Sequence, residues 1–85
     1  MSTITVYAIK SLSRNYIYVG LTENLSRRLK QHNSGQNKTT KPYLPFKLIY
    51  KETTIDRISA RKREKYLKSG IGKEYLKGLV EDSYG

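Results

Sequence analysis

Five side chains in this sequence have the chemistry and the spacing to act together: Tyr7, Tyr18, Arg28, His32 and Glu64. The first signal is a conflict on one helix. Leu25, Arg28, Leu29 and His32 fall at i, i+3, i+4 and i+7, the spacing of a single helix face. Two basic groups therefore occupy a stripe that packing alone would make apolar, while Arg27 points the other way, to solvent. A lone arginine there would read as a stem snorkelling along the helix edge. With His32 one turn on and two tyrosines on neighbouring strands, the stripe reads as part of a site. The second signal is Glu64, the one acid in a run of Lys and Arg from Arg57 to Lys73. Helical spacing aligns it with Ala60, Leu67 and Ile71, while Lys62 and Lys65 turn away. An ion pair with Lys68 at i+4, worth about 0.3–0.5 kcal/mol, accounts for the charge but not for a carboxylate on the packing line. One carboxylate is enough to hold a hard divalent ion such as Mg²⁺ when waters and a phosphate complete its shell.

The elements that must position these groups follow from the pattern. Ile4 to Ile9 and Tyr16 to Gly20 are rich in β-branched and aromatic residues and read as two strands of a hairpin. Thr5, Tyr7 and Ile9 alternate with Ile4, Val6 and Ala8, so both faces carry apolar members, as in strands covered on both sides. After Gly20 the period changes to that of a helix over about 23–33, capped by Thr22 and stopped near Asn33-Ser34-Gly35. The polar stretch from Gln36 to Pro45 reads as an exposed loop whose Lys38, Lys41 and Tyr43 suit backbone and base contacts. Phe46 to Lys51 is a third strand, with Pro45 tolerated at its start. A second helix starts at Thr54 or Asp56 and runs to about Ser69-Gly70. A third spans roughly Gly72 to Val80, packing through Tyr75, Leu76 and Leu79, with a frayed tail from Glu81 to Gly85. The reading is one α+β domain over residues 1–85, a three-stranded antiparallel sheet flanked by helices.

Composition narrows the partner. Seventeen Lys and Arg against seven Asp and Glu give a net charge of +10 and a pI near 9.9, a balance that favours a polyanion, most simply nucleic acid. No stretch has the bulky apolar anchors that an anionic membrane surface would require, and no apolar run approaches the ~20 residues of a membrane span. There are no cysteines, which removes disulfides and thiolate metal sites and suits a reducing, cytoplasmic setting.

Thr5-Val6-Tyr7, Tyr18-Val19-Gly20 eleven residues on, then Thr22, Asn24-Leu25, Arg28-Leu29 and His32, form an ordered set that resembles the GIY-YIG nuclease family. The similarity is to its small, single-domain branch, and it extends through Pro45 to Tyr50 and the helix around Glu64. It implies hydrolysis of a phosphodiester, DNA more than RNA, by in-line attack of water with one divalent ion, Mg²⁺ or Mn²⁺. Glu64 matches the family's metal ligand. Arg28 would hold the scissile phosphate, and Tyr7 or Tyr18 would orient or deprotonate the water, a choice the sequence leaves open. His32 would relay the proton or contact the phosphate. Lys38, Lys41, Tyr43 and Lys68 would bind the nucleic acid.

Three positions depart from the family pattern. Thr5 replaces the leading Gly of the first motif. Leu21 stands where some members have Lys. No Asn follows Asn37, although larger members have one beyond the metal Glu. The alternative reading is therefore a module that binds nucleic acid with weak or no cleavage. In either case binding is electrostatic: affinity is expected to fall with salt at a log–log slope of about one per phosphate neutralised. A salt titration that leaves affinity unchanged between low and physiological ionic strength would contradict it.

Overall fold

Strand β1 (Ile4–Ser11) is the middle of the sheet, and everything else is laid against its two faces and two edges. The computed structural model describes residues 3–84, without the side chains of residues 81–84. β2 (Ile17–Thr22) and β3 (Phe46–Thr54) both pair antiparallel with β1, in the order β2-β1-β3. Helix α1 (Leu25–Asn33) follows β2, a 3₁₀ turn occupies Lys41–Tyr43, and α2 (Arg57–Lys68) and α3 (Gly70–Tyr84) follow β3. The expected α+β architecture of three antiparallel strands flanked by helices is what the chain adopts.

The alternation in β1 divides the core. Ile4, Val6 and Ala8 pack with Val19 against Ala60 and Leu67 of α2 and Leu76 of α3. Tyr7 and Ile9 face the other way and pack with Phe46, Tyr16, Tyr18, Leu25 and Leu29 under α1. A central strand buried on both faces needs apolar residues at every position, as seen from Val6 through Ile9, all fully buried.

Several boundaries differ from expectation, each for a local reason. The cap of α1 is Asn24, whose Oδ1 accepts from Arg27 N at 3.1 Å. Thr22 acts one step earlier: its hydroxyl accepts from Asn24 N and donates to Asn24 O, turning the chain into the cap. The stop is as expected. Gly35 has φ +79, Gly35 N donates to His32 O, and Gln36 N donates to Gln31 O, the paired bonds of a left-handed helix end. β3 continues to Thr54, three residues past Lys51, because Glu52, Thr53 and Thr54 still pair with β1. Asp56, not Thr54, caps α2, accepting from Ser59 N at 2.7 Å.

The stretch 36–45 is not a plain exposed loop. Thr40 is buried, and Tyr43 stacks on Tyr16 with ring centroids 4.0 Å apart. α3 begins at Gly70, two residues earlier than expected, and extends beyond Val80. The expected frayed tail is instead helical as far as Tyr84, and Gly85 lies outside the described residues. Ile71 leaves the line of Ala60 and Leu67 because the chain turns at Ser69 first; it is 73% exposed.

Ser69 serves both helices. Its extended backbone ends α2, and its hydroxyl accepts from Gly72 N at 3.2 Å in the first turn of α3. The turn brings Gly72 against the last turn of α2, where a Cβ would collide with the Tyr66 carbonyl and the Leu67 backbone. Gly72→Ala is therefore expected to cost about 2 kcal/mol, within the range for overpacking, and to lower Tm by about 10 °C. Gly78→Ala, with open space at its Cβ, should be neutral or stabilising by up to ~1 kcal/mol. Urea or thermal unfolding of the two variants checks the contrast.

Candidate active site

The site is built on the passage of one phenol across the next strand. Tyr7 on β1 lies directly opposite Gly20 on β2. A Cβ on Gly20 would come within 2.7 Å of the Tyr7 hydroxyl and 2.9 Å of the Tyr18 ring. Only glycine leaves room for both tyrosines on this face, which gives the Tyr18-Val19-Gly20 motif a steric cause.

Having crossed Gly20, the Tyr7 hydroxyl meets His32 Nε2 at 2.8 Å. His32 is fully buried, and its Nδ1 lies 2.9 Å from Thr40 Oγ1. Thr40 in turn donates its hydroxyl proton to the Asn37 carbonyl at 3.5 Å. A carbonyl can only accept, so one consistent direction runs through the chain. Tyr7 donates to a bare Nε2, and Nδ1–H donates to Thr40. Thr40 was not among the expected site residues; it sits in a polar stretch with no periodicity, and nothing local marks it as buried. Tyr18 completes the cluster, its ring centroid 5.0 Å from His32 and 6.3 Å from Tyr7.

Charge surrounds this cluster on two sides. Burial pushes the Tyr7 phenol up to about 12, aided by Tyr18 and Glu64 and opposed by the Arg28 guanidinium. Both Arg28 and Glu64 thus act on the same hydroxyl, one from α1 and one from α2. Burial first, and then Arg28, hold His32 below its ordinary value, so it is neutral at physiological pH.

Arg28 itself has a gap. Its Nε is buried and has no hydrogen-bond partner, while its Nη1 lies 3.4 Å from Gln31 Oε1. An unpaired buried donor costs about 1–3 kcal/mol, so this nitrogen calls for an acceptor. The Arg28 side chain borders a cleft of about 450 Å³ that Arg27 and Arg57 also line, and that Tyr7, Tyr18, His32 and Glu64 do not. Arg27 is exposed, as expected, yet it faces the same cleft. Arg57 was not expected there; its pair with Glu23, at 3.8 Å and more than half exposed, leaves it able to turn to a stronger anion.

Glu64 is half-buried, with Lys68 Nζ on its Oε2 at 3.2 Å. Lys38 and Lys41 are exposed, and Tyr43 has one ring face covered by Tyr16. Among the described residues no group of three or more His, Asp or Glu could cage a metal ion. Glu64 has the chemistry of a single carboxylate ligand, the kind that holds Mg²⁺ together with waters and a phosphate.

The fold and this cluster define a class. Residues 3–76 match the GIY-YIG catalytic domain, and the chain belongs to that family, an endonuclease family that acts on nucleic acid. Its relatives are UPF0213 proteins. One from Clostridium perfringens is 34% identical over 85 residues, covering 93% of this chain and 90% of its own length. One from Staphylococcus haemolyticus is 34% identical, covering 89% of this chain and 93% of itself. A third, from Desulfotalea psychrophila, is 41% identical over 54 residues; the match covers 61% of this chain and 49% of that protein. The solution NMR structure of a UPF0213 protein from Bacillus halodurans matches with a TM-score of 0.54 and 30% identity, over 91% of this chain and 84% of that one. Among the described residues no helix is long and apolar enough to cross a membrane.

The lowered His32 has a consequence for stability. The unfolded histidine takes up its proton near pH 6.5, whereas the folded one resists it. The unfolded state then binds more protons, so stability is lost as pH falls below about 6.5. Urea unfolding at about pH 7.5 and pH 5.5 should show a larger acid loss in the parent than in His32→Gln. Equal losses would mean that His32 protonates as readily folded as unfolded.

Proposed function

We propose that this chain is a divalent-metal-dependent nuclease that hydrolyses phosphodiester bonds in DNA by in-line attack of water. The observation that carries this reading is the buried, unpartnered Nε of Arg28, a side chain that lines a three-arginine cleft and also acts on the Tyr7 phenol. A phosphate oxygen is the acceptor that such a donor lacks, and the planar guanidinium suits two phosphate oxygens at once.

The residues divide the work. Arg28 holds the scissile phosphate and offsets charge that develops on it in the transition state. Tyr7 is the proton acceptor rather than Tyr18, because its hydroxyl is bonded to His32 Nε2; it is fully buried in the free protein, so the water reaches it only once Arg28 swings to the phosphate. A phenol with a pKa near 12 is not a preformed phenolate at neutral pH, so it works by relay. It takes the water proton as it passes its own to neutral His32, leaving an imidazolium whose Nδ1–H stays on Thr40. Tyr18 packs on the imidazole and confines the water. Glu64 would hold the divalent ion; when bound, such an ion neutralises charge on the phosphoryl oxygens and leaving group. Lys68 does not block it, since an i,i+4 pair of about 0.3–0.5 kcal/mol yields to a divalent cation. Lys38, Lys41 and Lys68 supply contacts to the nucleic acid backbone, and Tyr43 supplies the uncovered face of its ring.

Glu64→Gln keeps size and hydrogen bonding and removes the charge. Cleavage of labelled DNA is expected to fall by two or more orders of magnitude, since the metal contributes several kcal/mol and each ~1.4 kcal/mol is tenfold. Binding should be retained or tightened, and stability should change by under about 1 kcal/mol. A Glu64→Gln protein that cuts as fast as the parent overturns the site. A parent that binds but cuts no substrate with any divalent ion overturns the enzyme and leaves a binding module.

A further inference from the structure

A second basic surface begins where the candidate site ends. Three hollows of about 330, 280 and 280 Å³ lie along the open edge of β2 beside α3. The first and second share Tyr16 and Lys73, and the second and third share Ile17 and Lys77. They therefore form one trough. Lys68, Lys73, Lys77 and Lys10 line it in that order, and no acidic side chain among the described residues does. Tyr16 and Tyr18 stand at its upper end, and Tyr18 is also the ring packed on His32.

The arrangement is not what folding alone would select. Lys73 and Lys77 are like charges at i, i+4 on one helix, which is mildly destabilising. Glu74 relieves only Lys77, at 3.7 Å and with both groups more than half exposed. A row of ammonium groups beside aromatic rings matches a polynucleotide strand, whose phosphates recur regularly and whose bases stack on rings. From Lys73 to Val80 the helix rises about 10 Å at 1.5 Å per residue, the length of about three stacked nucleotides at 3.4 Å each. One strand fits between a strand edge and a helix; a duplex does not enter.

We propose that this trough is a binding track for the single strand that leaves the cut, about three nucleotides long, held by Lys73 and Lys77 on its phosphates and by Tyr16 on a base. The proposal rests on the nuclease reading for the direction of the strand and not for the existence of the track.

The test is the salt dependence of binding by the full chain, in EDTA, to a single-stranded oligonucleotide of about twelve residues, within the usual 4–16 site size. It is run once with DNA and once with RNA. The double variant Lys73→Ala, Lys77→Ala should lower the log–log salt slope by about 1.4, at ~0.7 per single-strand phosphate. Affinity should fall about fivefold per lysine at ~0.1 M salt for that slope. Lys51→Ala, an exposed change on β3 at the other edge of the sheet, should alter neither. A double variant with the parent's slope on both oligonucleotides overturns the track, as does a drop matched by Lys51→Ala. If the slope falls as expected but the parent never cuts, the track stands and the nuclease reading fails. If the parent cuts and the slope does not move, the reverse holds.

Discussion

The contact between the Tyr7 phenol and Gly20 sets the terms for the rest of the site. A ring that fully buried must do something with its hydroxyl, because an unsatisfied buried hydroxyl costs more than most side-chain contacts return. The missing Cβ at Gly20 lets that hydroxyl pass over β2 to His32 at 2.8 Å. His32 then needs a partner for its other nitrogen, which Thr40 supplies, and Thr40 needs Asn37. One steric concession on β2 thus obliges β1, α1 and the 36–45 stretch to hold a single relative placement. Asn33 reinforces it from the end of α1, accepting from Phe46 N at 2.6 Å and so tying the helix to the start of β3.

The same burial explains why the electrostatics are divided as they are. A phenol raised to about 12 and a histidine held neutral form a pair that stores no net charge in the core. The charges stay at the margin: Arg28 at the cleft and Glu64 at its ion pair with Lys68. Both keep a polar group half-exposed, where a ligand can reach it. A net charge of +10 on 85 residues would oppose folding if it were concentrated, and the chain spreads it over both edges of the sheet and the outer faces of the helices.

Much of this was legible in the residues. The two-period switch after Gly20 placed α1, the alternation in β1 announced helices on both faces, and the odd polarity of Arg28, His32 and Glu64 marked them out. What was not legible depended on contacts distant in sequence or on competition between near-equivalent neighbours. Thr22 and Asn24 both favour caps, and only geometry assigns the turn to one and the cap to the other. Thr40 and Tyr43 sit in a stretch whose polarity says loop; Thr40 is buried against His32 of α1, and Tyr43 is covered on one face by Tyr16 just ahead of β2. Ile71 was placed on the α2 face by helical spacing, which cannot foresee that Ser69 ends one helix and starts the next.

The position of β1 between its neighbours also orders assembly in time. Pairing β1 with β2 closes only the short segment from Leu12 to Tyr16, whereas pairing β1 with β3 first requires the whole of residues 12–45 to fold back. Loop-closure entropy grows with that length, so the hairpin is the cheaper first contact. Tyr7, Tyr18 and Gly20 belong entirely to it. The two tyrosines and the glycine between them are therefore brought together by a local closure, while His32, Thr40 and Glu64 join them from α1, the 36–45 stretch and α2. A chain caught midway has its tyrosines in place and lacks the carboxylate, so the full cluster forms only with the last long-range closure.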